Sequence, residues 1–462
     1  MSNNFSEYKL RFSELMKASK PIIVEQFLIA LMSMVIMSMV SSVGDYAVAA
    51  VGMIDSVTIL LLALVTSLTT SGTIAVAQHY GRDNRADAAK AGVQSAMLAL
   101  AFSLILSILF AVFRTQIIRL LFRTSDVDFI GAGIDFFRIV NFSLPLLAVT
   151  QTLFSVMRGC GDADTPKLIT LGMNLVNFAL GFFLILDIVI ANSLTTAGLG
   201  VVGAAVAVTL ARLSGFIASV IYIIRMSRAV RLDIASCFEF DREASRVFSG
   251  LRAPTSIEAI LFQIGRLLSH VFIAGLGTAA FAANTIGVTV SMLIQVPGNA
   301  LSLSVMILIG RYARNGQAED IKKTNIFAAV VGFVMTGLLC ILCLLLAETL
   351  ANIYFLSPEA SRIFRTVFLS CLLVSPLIWP VSLIVPAGLR ATGDVDFTMA
   401  VAVISTWAFR IVTGYILGIT MELGVLGFWI GMYVDWFVRS LLYVWRLLSG
   451  RWEKHIDLRT EN

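Results

Sequence analysis

The chemistry open to this sequence rests first on two carboxylates written into it in the same way. Glu25 follows Pro21 by four residues and Glu258 follows Pro254 by four, each a few positions inside a long apolar run. Residues at i and i+4 share one helix face, and a proline there kinks the helix. A carboxyl in such a run is costly to ionise, so it can exchange a proton near neutral pH; with other oxygens it can also ligate a hard cation such as Na+. Either property couples an ion gradient to a change of shape. At about 1.5 Å per residue, each Glu also lies roughly 8–10 Å from a flanking Lys20 or Arg252, where it could meet cytoplasmic water or an arginine instead. The matched pair makes Glu25 and Glu258 the ion-coupling candidates.

Other polar side chains interrupt the apolar runs. Arg138, Arg212, Arg266, Arg410 and Arg439 are the embedded cations. Arg266 and His270 stand at i, i+4, two and three turns beyond Glu258; His270 could titrate near neutrality or make a structural hydrogen bond. Asp435 and Arg439, also at i, i+4, read as an internally neutralised ion pair. Asp187 falls at the outer end of its run. Amides in membrane helices either hold helices together or line a polar cavity, and methionines make adaptable walls. The substrate-binding candidates are Gln26, Met32, Asn174, Asn177, Gln263, Arg266, Asn284, Met292 and Gln295. Cys340 and Cys343 lie in an apolar run without nearby His or acid, which reads as packing rather than zinc or redox chemistry.

The elements that must position these residues come in two copies. Arg158-Gly-Cys-Gly-Asp-Ala-Asp164 recurs as Arg390-Ala-Thr-Gly-Asp-Val-Asp396, Gly44-x-x-Ala-x-Ala-Ala50 as Gly277-x-x-Ala-x-Ala-Ala283, and Tyr80-x-Arg82 as Tyr312-x-Arg314. With the Pro-x-x-x-Glu pair these are ordered anchors at nearly one spacing, so the chain is a tandem duplication. Its composition, 58% hydrophobic with 14% charged and a mean hydropathy of +0.89, excludes a water-soluble globule. A bilayer core about 30 Å thick needs about 20 apolar residues per helix. Runs of that size fall at 20–43, 53–79, 89–113, 130–157, 167–190 and 199–224, then at 252–275, 284–309, 325–347, 361–389, 397–418 and 423–447. The fold class is therefore an all-α polytopic membrane protein of twelve transmembrane helices in two parallel six-helix repeats. The expected organisation is a lobe at 1–224, a cytoplasmic linker at 225–251 and a lobe at 252–462. Met1–Lys20 is too polar for a signal peptide, so the first run stays as a helix. Most of the 34 Lys and Arg fall in segments that are inside if both termini are cytoplasmic.

No Walker loop, GxSxG, HExxH or GxGxxG stands in a usable context, and no soluble segment is long enough to hydrolyse nucleotide. The chain reads as no enzyme and as having no cofactor; transport would draw on an H+ or Na+ gradient. The net charge of +5 belongs to the inner loops, and nucleic acid is not an expected partner. The expected partners are a small organic substrate and membrane lipid, with the chain working as a monomer.

Together, Pro21, Gly44 to Gly52, Tyr80-Gly-Arg82, Arg158-Gly-Cys-Gly-Asp162 with Thr165-Pro166, Gly200–Ala205, Gly277–Asn284, Arg390-Ala-Thr-Gly-Asp394 and Gly424–Trp429 resemble the multidrug and toxic compound extrusion (MATE) family over nearly the whole chain. The second half is similar to a bacterial branch close to the DinF-like group. The resemblance implies the MATE fold, multidrug efflux from the inner membrane, and antiport of organic, often cationic, compounds for H+ or Na+ by alternating access. The wider superfamily supplies the alternative of a lipid-linked precursor flippase, and a receptor without transport is a third reading. The chain departs from many bacterial members at Ile36 and near Gly181, where those carry acids, so their coupling acids do not carry over.

Overall fold

The computed structural model describes residues 2–81, 84–121, 126–162, 164–186, 189–191, 194–195, 197–226, 254–314 and 318–454. Among the described residues, twelve helices are long and apolar enough to cross a membrane. They are α1 (Ser2–Ser41), α2 (Asp45–Gly81), α3 (Arg85–Val112), α4 (Val127–Gly159), α5 (Asp164–Ile185) and α6 (Gly200–Arg225) in the first half. The second half has α7 (Pro254–Ala274), α8 (Thr278–Arg314), α9 (Ala318–Leu345), α10 (Pro358–Thr392), α11 (Val395–Thr420) and α12 (Val425–Leu448). Each apolar run expected from the sequence has its helix. The duplication persists in the lengths: α2 and α8 both have 37 residues, α3 and α9 both 28. Short helices at Arg114–Leu121 and Ala347–Ile353, and a hairpin pairing Val189–Ala191 with Leu194–Thr195, occupy the connections. Side chains such as Ile105 (63% exposed) on α3, Leu338 (64%) on α9 and Leu373 (71%) on α10 are exposed at the protein surface. Such faces are stable against lipid and not against water. The protein is a multi-pass membrane protein.

The repeated Arg-x-x-Gly-Asp loops do identical structural work. Gly161 and Gly393 have φ of 86° and 104°, the left-handed region that glycine adopts without steric cost. Both close Schellman caps: Gly161 N–H reaches Arg158 O and Asp162 N–H reaches Met157 O, while Gly393 N–H reaches Arg390 O and Asp394 N–H reaches Leu389 O. The Asp that follows is tied to the end of the sixth helix of its half. Asp162 accepts from Tyr222 Oη at 2.6 Å, and Asp394 takes Arg446 in a two-point pair at 2.7 and 3.1 Å. Burial alone would raise the Asp162 pKa, but hydrogen bonds from Tyr222, Thr165 and the Asp164 N–H hold it below the ordinary 3.8. Cys160, beside it, is pushed up to about 11 by burial and by the Asp162 charge, so its thiol is unreactive at neutral pH.

The chain packs into two compact units, residues 35–282 and residues 1–34 with 283–462. These differ from the lobes expected from the repeat at two helices. The first unit takes in α7, whose His270 Nδ1 lies 2.6 Å from Ser56 Oγ on α2. The second takes in the N-terminal part of α1, where Ser19 Oγ donates to Ser304 Oγ on α8 at 2.8 Å and Tyr312 Oη to Glu14 at 3.4 Å. Each unit thus borrows the first helix of the opposite repeat, and the two exchanges are equivalent under the duplication. The expected linker lies, from residue 227 onward, outside the described residues, as do Arg82 and Asp187.

Candidate substrate cavity

In the unit of residues 35–282, α2, α4, α5 and α6 enclose a cavity of about 270 Å3. Helical periodicity brings its lining together: Val51, Asp55 and Thr58 form one stripe of α2, Met173, Asn174 and Asn177 one of α5, and Val208, Ala211 and Arg212 one of α6. Phe136, Val140 and Leu147 complete the wall from α4. Asp55 lies deep within the unit, yet its side chain is exposed to the cavity. Arg212 and Arg266 are both within electrostatic reach of it.

A break in α4 fixes Arg212. Pro145 lacks the N–H that would bond the Asn141 carbonyl, so the helix tightens into a 3-10 turn over Asn141–Ser143. The Asn141 carbonyl accepts instead from Leu144 N–H and from Ser107 Oγ at 3.0 Å, and Asn141 Nδ2 returns a bond to Ser107 O at 2.8 Å. Asn141 is therefore a clamp between α3 and α4. The turn presents Ser143 Oγ, which accepts from Arg212 Nη1 at 2.9 Å.

α7 faces the same region. Ser56 Oγ donates to Gly52 O at 2.8 Å, so the short contact with His270 is a bond donated by Nδ1–H. His270 is buried and packs edge-on against Phe281 at 5.8 Å. It has the structural hydrogen bond rather than an open ring face.

Of the candidates read from the sequence, Asn174 and Asn177 line the cavity and Arg266 faces its carboxylate. Asn177 Oδ1 is buried without a hydrogen-bond partner among the described residues. The others stand elsewhere. Glu25, Gln26 and Met32 are half-buried on α1, and Glu258 and Gln263 half-buried on α7. Met292 is 39% exposed on α8, and Gln295 donates to Ser291 Oγ of its own helix at 3.4 Å. Asn284 lines no part of this cavity: it is buried, and its Oδ1 accepts from Trp429 Nε1 at 3.0 Å, the kind of partner a buried amide requires. Asp55 is the residue the sequence reading leaves out. An apolar run starting at 53 puts this acid at a helix end, whereas α2 begins at Asp45 and carries Asp55 roughly 15 Å along its axis. The small residues from Ala47 to Ala50, buried against neighbours, are the signal that the helix starts earlier.

In the other unit, Asp435 is fully buried and bonded by Arg439 Nε at 2.6 Å and by the Ser405 hydroxyl. Arg410 stands at 4.0 Å, and Arg439 also donates to Ala402 O at 3.1 Å and to Thr406 Oγ1. The ion pair expected from the sequence is thus the centre of a wider polar network at the π-helical turn Thr406–Ile411 of α11, in which Asp435 Oδ2 has no hydrogen-bond partner among the described residues.

The sequence profile of the MatE family matches the chain twice, over residues 21–183 and 254–416. An uncharacterized transporter of Bacillus subtilis, YisQ, is 24% identical over 94% of this chain and 93% of its own length. A probable multidrug resistance protein NorM of Thermotoga maritima is 27% identical over 97% and 94%. A multidrug resistance MATE family transporter of the MOP superfamily, solved in an inward-facing conformation, superposes with a TM-score of 0.79 at 21% identity, over 92% of this chain and 95% of that one. The two profile matches fall on the two halves of the duplication, and the fold is shared from end to end: the chain belongs to the MatE family of membrane transporters.

Proposed function

We propose that this transporter is a secondary antiporter that exports organic compounds, multidrug substrates among them, in exchange for H+ or Na+ by alternating access. The observation that carries the reading is the cavity of residues 35–282, a polar and charged chamber among membrane-spanning helices. Charge inside a membrane is retained where substrate or ions bind. The multidrug resistance names of NorM relatives support the substrate class. Glu25 and Glu258 are the proposed exchange carboxylates: both lie within membrane-spanning stretches, and each unit holds one of them. The Lys and Arg bias supports cytoplasmic termini in a bacterial plasma membrane.

Flux of fluorescent organic compounds through proteoliposomes, under an imposed pH or Na+ gradient, tests this. One of the gradients should accelerate flux, and Val208→Trp, which fills the cavity, should abolish it. Equal flux with and without both gradients would end the antiport reading.

A further inference from the structure

The charges around the cavity do not balance. Asp55 and Arg212 line it, and Arg266 of α7 lies within electrostatic range of Asp55. One carboxylate shared by two guanidiniums compensates a single positive charge. Arg212 is fixed by one N–H to Ser143, whereas a guanidinium carries five N–H donors in a planar fork suited to a two-oxygen anion. Beside this charge, Phe136, Leu147 and Met173 form an apolar wall. A cavity of about 270 Å3 lies just below the roughly 300–1,000 Å3 typical of ligand pockets, which suits a compact head group.

We propose that the cavity selects small organic monoanions, carboxylates first, whose head group takes the share of Arg212 that Asp55 leaves uncompensated. The proposal rests on the reading of this cavity as the substrate site. An organic cation would reach Asp55 only in competition with two guanidiniums. Because the anion and Asp55 compete for the same guanidinium, discharging Asp55 tightens the anion instead of expelling it. The ion exchanged for substrate is then taken up away from Asp55, on Glu25 or Glu258.

The test is equilibrium binding of three fluorophores of one size to the purified full-length protein in lipid nanodiscs: coumarin-3-carboxylate, coumarin-3-carboxamide and 3-(aminomethyl)coumarin. The carboxylate should bind at least about tenfold tighter than either analogue, the scale of one charge-assisted hydrogen bond. Arg212→Gln should bring the carboxylate down to the amide, Arg212→Lys should keep the preference, and Asp55→Asn should strengthen it several-fold. Tightest binding of the ammonium, or a carboxylate preference that survives Arg212→Gln or weakens in Asp55→Asn, overturns the proposal. Binding needs no gradient. Anion binding without flux would therefore uphold the site and defeat the transport reading, while flux with cation-selective binding would do the reverse.

Discussion

Asp435 and Asp55 are both carboxylates inside membrane-spanning helices, but their surroundings assign them different work. Asp435 is buried among Arg439, Ser405 and Arg410, and Arg439 in turn bonds the α11 backbone, so this carboxylate is engaged by the protein's own side chains. Removing the carboxylate leaves the buried Arg439 guanidinium without its charged partner. Asp435→Leu should therefore destabilise the protein by about 3–5 kcal/mol, while Asp435→Leu with Arg439→Met should recover part of that loss; thermal unfolding in detergent measures both. Asp55 instead opens on a cavity and is shared between two arginines. Outside the membrane helices, Asp126 is held below the ordinary 3.8, first by the Thr278 hydroxyl and then, against some burial, by the Phe129 and Asp128 N–H groups. A carboxylate with a depressed folded pKa stabilises above its unfolded value, and that stability is lost as pH falls through the folded one. Thr278→Val should consequently move the acid-side fall in melting temperature to higher pH, and melting curves across the range below about pH 5 would show it.

Helix pairs of the two halves meet in the same way. Gly203 begins α6 where a Cβ would sit 2.3 Å from the Leu184 carbonyl oxygen of α5, and Gly427 begins α12 where a Cβ would sit 2.4 Å from Gly418 N of α11. Backbone touches backbone at both crossings, the close approach that small residues allow between membrane helices. Gly203→Val and Gly427→Val should each cost at least about 1–3 kcal/mol by forcing the pair apart. Gly172→Ala, whose added methyl meets nothing within 4 Å, should be neutral or stabilising by about 0.5–1 kcal/mol. The same melting assay separates them. The Gly161 and Gly393 caps were legible in the sequence as a repeated motif, because backbone geometry leaves a local signature. The twelve helices were legible too, since bilayer thickness imposes length and hydropathy. Asp55 was not: its burial depends on where α2 starts, and helix starts carry a weaker signal than helix interiors. The exchange of α1 and α7 between units was equally hidden, because a duplication fixes which helices correspond and not which ones pack together.

At the scale of the molecule, one duplicated chain makes two units with different charged centres among the described residues. The unit of residues 35–282 has a charged chamber; the other has, at Asp435, a buried ionic network. On the function proposed above, the chamber would recognise substrate while the paired carboxylates Glu25 and Glu258, one in each unit, would answer the ion gradient. The measurement that tests this most directly is gradient-driven flux in proteoliposomes for wild type, Glu25→Gln, Glu258→Gln and the double variant, with organic anions and cations offered in parallel. The expected result is flux accelerated by one gradient, H+ or Na+, with that acceleration lost in at least one single variant and in the double variant. Gradient-driven flux that persists undiminished in the double variant would contradict it.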